Sequence, residues 1–301
     1  LADSARLRQL SPESSSVSLL RASIFRLRGD RDKALAELQL LAAATDSSVL
    51  FGLAEEYRSL GSFDEAMKAL GKAIGSSPPS APTLLRRAQF RSLSDKAGRR
   101  ADLQAFLAKE PTSPVGVTML GQLLEEEGRT AEAIKLYTKG MAALSDSSPL
   151  RLRRGIALMR SGKTAEGLRD ISAARASEAG ATDLNNRCWA LATAGVALDQ
   201  ALADCQAALA KRPNHFAFLD SRAMVHLKQG KLDLALADYD RSLANGPVAA
   251  ALMGRSLVHA RRGDAARAAA DRQAAMRHDP EIGLRFLGYG FKEAAVVQAG
   301  S

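Results

Sequence analysis

Aromatic side chains are scarce in this chain: one Trp, four Tyr and nine Phe make up 5% of its 301 residues. Sandwiches and barrels build their strands largely from β-branched and aromatic residues, so a ring-poor sequence dominated by Leu and Ala points to closely packed helices instead. Cysteine is scarcer still. Cys188 and Cys205 are too few for a disulfide framework and lack the spacing of a zinc site. No apolar run reaches the roughly 18 to 20 residues of a membrane span. The opening LADSARLRQL lacks both the initiator methionine and the charged and apolar blocks of a signal peptide, which suggests a mature or excised fragment. A phosphate-cradling GxxxxGK loop, a zinc-protease histidine pair and a nucleophile elbow are also missing. No metal, cofactor, small-molecule substrate or catalytic set is therefore expected, and the chain does not read as an enzyme.

What is present is a length and composition, 46% hydrophobic and 25% charged, that can bury a sizeable core. The 42 basic and 33 acidic residues leave a net charge of +9, which permits anionic partners without identifying one. The main signal is periodic. Gly29, Gly61, Gly128, Gly162, Gly230 and Gly263 each separate two helical stretches and lie one or two periods of about 34 residues apart. The two long gaps hide further turns near Asp95 and Gly195, which makes eight units. Each unit is a helix A, a turn where glycine makes positive φ cheap, a helix B and a linker that often carries proline: Pro78, Pro111, Pro213, Pro247 and Pro280.

Aligned on their turns, the second unit supplies Ala54, Tyr57, Gly61, Ala66, Leu70, Ala73 and Pro78, and the seventh Ala223, His226, Gly230, Ala235, Tyr239 and Pro247. Small residues at repeat positions 8 and 20, a ring near 11 and proline at 32 make the pattern similar to the tetratricopeptide repeat family. The third unit departs most, because Asp95 stands where the turn glycine belongs. The resemblance implies an all-α, right-handed α-solenoid of about eight helical hairpins over residues 1–281, then a C-terminal cap and tail over 282–301. Ile282, Leu284, Phe286 and Leu287 would cover the last repeat before Gly288 and Gly290 break the helix. Residues 1–15 read like the second helix of a preceding unit.

Position 7 of helix A, usually leucine in this pattern, is arginine at Arg21, Arg154, Arg222 and Arg255. Sixteen residues after each stands a carboxylate: Glu37, Asp170, Asp238 and Asp271. Where leucine is kept, at Leu53 and Leu120, the matching residues are Ala69 and Leu136, so the two charges appear and disappear together. This covariation predicts partly buried charge-assisted pairs between helices A and B rather than an anion-binding ladder. In the third unit Arg87 meets Leu103, with Asp102 one residue out of register. In the sixth unit Cys188 takes position 7 and Cys205 position 24, which brings the sulfurs together. Small core residues are the favoured reading and a disulfide the other. His226 and His259 occupy the ring position and read as packing residues, not metal ligands.

In the family that the chain resembles, helix A positions 2, 5, 6, 9 and 12 line the concave wall. The corresponding residues here are Arg58, Arg86, Gln89, Met119, Gln122, Arg153, Asn186, Arg187, Asp220, Ser221 and Met224. No register reproduces the lysine and asparagine clamp of chaperone-tail receptors. The most concentrated polar stretch is DLNNRCW, with Asn185, Asn186 and Arg187 read either as groove-facing or as a helix start capped by Asp183. Arg187 has Asp204 as an alternative partner. The expected function is a scaffold that binds a protein or peptide in the groove. The final hundred residues, from NNRCWALATAG to FLGYG, look like the C-terminal arrays of alphaproteobacterial envelope proteins with a transglutaminase-like domain upstream. That resemblance implies an accessory region of an envelope enzyme in the bacterial periplasm, with a cytoplasmic location as the other reading. The weakest alternative is anionic-polymer binding along the basic turns Arg99-Arg100 and Arg261-Arg262; nucleic acid would also want aromatic platforms that the chain does not supply.

Overall fold

Helix punctuation in the sequence sets the architecture. Asp46 accepts hydrogen bonds from the Ser48 and Val49 N–H groups, and Ser113 caps the next Gly116 N–H with Pro114 in the first helical turn. Glycines in the left-handed conformation close other helices, as at Gly29 (φ 86°) and Gly195 (φ 70°). The computed structural model of the chain describes residues 14–75, 79–144, 147–174, 180–244 and 246–295. The reading of residues 1–13 as part of a preceding unit, and Pro78, lie outside the described residues.

All regular structure among the described residues is helical, as eight hairpins and a C-terminal element. The first hairpin is α1 (Ser15–Arg28) with α2 (Arg31–Gln39), the second α3 (Ser47–Ser59) with α4 (Phe63–Ile74), and the third α5 (Ala81–Phe90) with α6 (Lys96–Lys109). Then come α7 (Pro114–Glu126) with α8 (Thr130–Ala142), α9 (Ser148–Arg160) with α10 (Thr164–Ala173), and α11 (Ala181–Ala194) with α12 (Leu198–Lys211). The last two are α13 (Phe216–Lys228) with α14 (Leu232–Leu243), and α15 (Ala249–Arg261) with α16 (Ala265–His278). Helix α17 (Ile282–Gly288) and a 3₁₀ turn, Lys292–Ala295, follow. Odd-numbered helices up to α15 are the A helices.

The chain divides into two compact units. One holds the residues up to Phe106 together with Met276–Glu281, and the other Leu107–Ala275 and the residues from Ile282. In the first unit, Phe25, Leu38, Leu50, Ala54, Leu70 and Phe90 form one buried cluster. Its third turn reverses without a left-handed residue. Asp95 acts there as a cap, accepting from the Gly98 N–H at 2.9 Å and from Arg91 at 2.7 Å. The buried Glu281 carboxylate accepts from the Leu93 N–H at 2.6 Å and from the Ser92 hydroxyl at 2.7 Å. An irregular turn is thus held by an acceptor from far along the chain.

In the second unit the A helices α7, α9, α11, α13 and α15 pack each on the next, while the B helices α8, α12 and α14 each pack on their own A helix and on the one that follows. This layering buries the A helices most. Within a hairpin the close approach falls at small residues: a Cβ added to Gly167 on α10 would lie 2.6 Å from the Gly155 backbone oxygen on α9. Helix α17 buries Ile282 and Phe286 but leaves Leu287 41% exposed, because Gly288 ends the helix before that face is covered. Helix α11 begins at Ala181, so Asp183 is its third residue and not its cap. Its carboxylate reaches back to the Gly180 N–H at 3.2 Å.

Cys188 on α11 and Cys205 on α12 are fully buried and joined in a disulfide. The structure therefore departs from the favoured reading of two free core thiols: the register that brings positions 7 and 24 face to face also brings the sulfurs to bonding distance. Thiol titration of the denatured, unreduced protein should find no free thiol, and two after reduction. Two free thiols before reduction would contradict the bond.

Candidate protein-binding face

The A-helix arginines at position 7 are held within the hairpins. Arg21 Nε donates to Glu37 at 2.7 Å. Arg154, Arg222 and Arg255 each make two hydrogen bonds, of 2.7 to 2.9 Å, to Asp170, Asp238 and Asp271. The third hairpin solves its shifted register by placing Asp102 between Arg87, at 2.8 Å, and Arg91, at 2.7 Å. In the sixth, Arg187 donates to Asp204 at 2.5 Å and to the Ile171 carbonyl at 2.6 Å. Glu37, Asp102, Asp170, Asp204, Asp238 and Asp271 are all buried, so every one of these B-helix carboxylates has an arginine beside it. The hydrogen bonds that Arg222 and Arg154 donate to Asp238 and Asp170 hold their guanidiniums further from deprotonation, despite partial burial. His226 and His259 are buried, each with Nε2 3.9 Å from the same aspartate that its repeat's arginine binds. Burial pushes the His226 pKa down, so it is a neutral packing ring.

The residues expected to line the groove divide into two groups. Arg187, Asp220, Ser221 and Met224 are buried, as is Asn185, so none of them presents a side chain to a partner. For Arg187 the reason is its ion pair. Ser221 donates back to the Ala217 carbonyl at 2.9 Å, in its own helix. Asp220 and Met224 sit on α13, where apolar residues point in nearly every direction and neighbouring helices close around them. Arg86, Gln89 and Asn186 are exposed, while Arg58, Gln122 and Arg153 are half-buried.

In the first unit, Arg86 of α5 lies over the Phe51 ring of α3, 4.8 Å from its centroid, and Arg58 lies 5.9 Å from that of Phe90. In the second unit, Gln122 on α7, Arg153 on α9 and Asn186 on α11 stand on successive A helices, and Glu125 on α7, which falls on the same wall positions though it is not among the residues named above, lies near Arg153. Glu125 stands three residues after Gln122, at position 12 of its helix, and that spacing was the available signal. Its carboxylate accepts from the Tyr137 hydroxyl at 2.9 Å and lies 3.6 Å from Arg160. Burial raises its pKa, against the pull of Tyr137, Arg160 and Arg153. Amide, guanidinium and carboxylate groups on successive A helices can meet both the donors and the acceptors of an extended chain. The turn arginines are less available: Arg261 pairs with Glu293 at 2.8 Å and Arg262 with Asp233 at 2.6 Å, which weakens the case for a free basic edge.

Asp220 stands apart. Its Oδ1 has no hydrogen-bond partner among the described residues, and desolvation by burial raises its pKa from 3.8 to about 7. A carboxyl whose folded pKa is raised stabilises the fold below its unfolded pKa, and that stability is lost as the pH climbs through about 7. Asp220→Asn should therefore be more stable than the parent at pH 8 by a few kcal/mol, since each tenfold change in proton affinity is worth about 1.4 kcal/mol, and nearly equal to it at pH 4. Denaturant unfolding of both proteins at the two pH values checks this; a difference that does not change with pH contradicts it.

Two family models, both described as tetratricopeptide repeat, match the chain over residues 47–79 and 221–281. No curated protein matches it in sequence. Among solved structures, yeast Tom70 is similar at 17% identity with a TM-score of 0.53, over 89% of this chain and 60% of that one. This chain thus spans less than two thirds of the yeast structure's length. A tetratricopeptide repeat protein from Parabacteroides merdae is 16% identical over 92% of this chain and 98% of that one, with a TM-score of 0.48. The type IV pilus biogenesis factor PilW is 18% identical over 82% and 96% respectively, with a TM-score of 0.40. The chain is an all-α solenoid of helical hairpins that carries tetratricopeptide repeats at residues 47–79 and 221–281.

Proposed function

We propose that the chain is a non-catalytic scaffold whose A-helix face binds an extended segment of a partner protein. Stacked helical repeats generally serve as protein-interaction surfaces. The observation that carries the reading is the division of charge. The repeating arginines are matched by buried carboxylates, while the non-repeating Gln122, Arg153 and Asn186 remain at least partly accessible on successive A helices. A face built from unlike residues in each repeat reads a sequence of side chains; an identical residue in each would read a polymer.

The disulfide supports one compartment over the other. A buried Cys188–Cys205 bond is characteristic of oxidising surroundings, which supports the periplasm or cell envelope over a reducing cytoplasm. In that setting the same face could serve a neighbouring catalytic domain, as the final hundred residues suggest by resemblance.

A photoreactive side chain placed at Asn186 should capture a discrete protein from an envelope extract. The capture should fall at least several-fold when Arg153→Glu is added. The same group at Arg169, on the B helix α10, should capture none. Equal capture from both positions, or indifference to Arg153→Glu, would overturn the reading.

A further inference from the structure

Past Gly288 the chain does not simply end the solenoid. It turns at Gly290 (φ 89°) and lays Tyr289, Phe291 and Glu293 against the A helices of the last three repeats. Tyr289 meets Trp189 of α11 edge-on, with ring centroids 6.0 Å apart and planes at 89°. Lys228, the last residue of α13, donates its ammonium to the Tyr289 carbonyl and stands 4.2 Å from the Phe291 centroid. Arg261, the last residue of α15, stands 5.4 Å from the same ring and binds the Glu293 carboxylate through Nη2 at 2.8 Å and Nε at 3.2 Å. Phe291 is 2% exposed, with two cations against it and the Phe286 ring also beside it.

Tyr289 and Phe291 also rest on the Phe286 ring of α17, with centroids 5.4 and 5.8 Å away, but the cations add what an apolar cap does not need. Lys228 is partly stripped of water and has Arg261 and Arg160 near it; burial first, and then those cations, pull its pKa down. Two cations at helix C-termini beside a tryptophan ring call for an occupant with carbonyl oxygens, π faces and a carboxylate. Residues 289–293 supply these as aromatic-x-aromatic-x-acidic. The ionic part of the hold is light, since the Arg261 and Glu293 side chains are 34% and 43% exposed, a range in which ion pairs contribute little; the burial of Phe291 carries most of it.

We infer that Trp189, Lys228 and Arg261 form a recognition seat for an aromatic-x-aromatic-x-acidic segment of another protein, and that residues 289–293 occupy it in cis as a stand-in. Trp189 stands one turn after Asn186 on α11, but the peptide titration reads the seat alone while capture from Asn186 is read against Arg153→Glu, so the two readings fail independently. A tethered occupant acts at an effective concentration on the order of millimolar, so a partner binds in trans only by outcompeting the tether or after its release.

Trp189 is the only tryptophan of the chain and lies at the seat, so its fluorescence reports occupancy directly. The probe is a synthetic peptide LGYGFKEAA, the sequence of residues 287–295, titrated into the full chain. Phe291→Ala should bind the peptide at least tenfold more tightly than the parent, with a saturable change in Trp189 emission, and adding Lys228→Met should abolish the gain. Glu293→Gln, which alters only a partly exposed pair, should tighten binding several-fold and serves as the deciding arm if Phe291→Ala does not fold. Equal affinity of the parent and Glu293→Gln, or peptide binding that is indifferent to Lys228→Met, would overturn the inference.

Discussion

The arginine and carboxylate pairs between helices A and B are the constraint on which the rest of the structure depends. A carboxylate buried in a helical interface stays ionised at little cost only with a charge-assisted partner, and arginine's planar fork can make two parallel bonds to it. Asp170, Asp238 and Asp271 are held in this way. In the hairpins that carry it, the pair fixes how the B helix sits on its A helix. It also withdraws the most regular row of positive charge in the chain from any ligand. Recognition then falls to residues that differ from repeat to repeat.

The two irregular repeats show how strong this constraint is. In the third, Asp102 is out of register and two arginines, Arg87 and Arg91, converge on it. In the sixth, cysteine holds the arginine's usual place, yet Arg187 and Asp204 still meet, one position to the side of the disulfide. The charge pair survives a change in register and the insertion of a covalent link. What differs between repeats is the geometry around it, such as the Glu281 support beneath the third turn.

Much of this was legible in the sequence because it is local. The hairpins, their turns and the sixteen-residue pairing each lie within one repeat. Glu281 binding Leu93 and Lys228 binding Tyr289 join residues 188 and 61 apart, and no period connects them. The burial of Asp220 and Ser221 had a signal that the family alignment obscured. Helix α13, FAFLDSRAMVHLK, is apolar nearly all round, which marks a helix enclosed on every side and not one with a solvent-facing wall. Position in a repeat predicts a face only while the helix has a polar side.

The most direct test of the account is a double-mutant cycle on Arg222 and Asp238, read as unfolding free energy. If the pair is a buried structural bond, Arg222→Leu alone strands a carboxylate and costs on the order of 3 kcal/mol, while Arg222→Leu with Asp238→Ala costs less than the two single changes added. A coupling of about 1 to 3 kcal/mol is the predicted result. Additive effects, with no coupling between the two positions, would contradict the claim that the arginine ladder is committed to the fold.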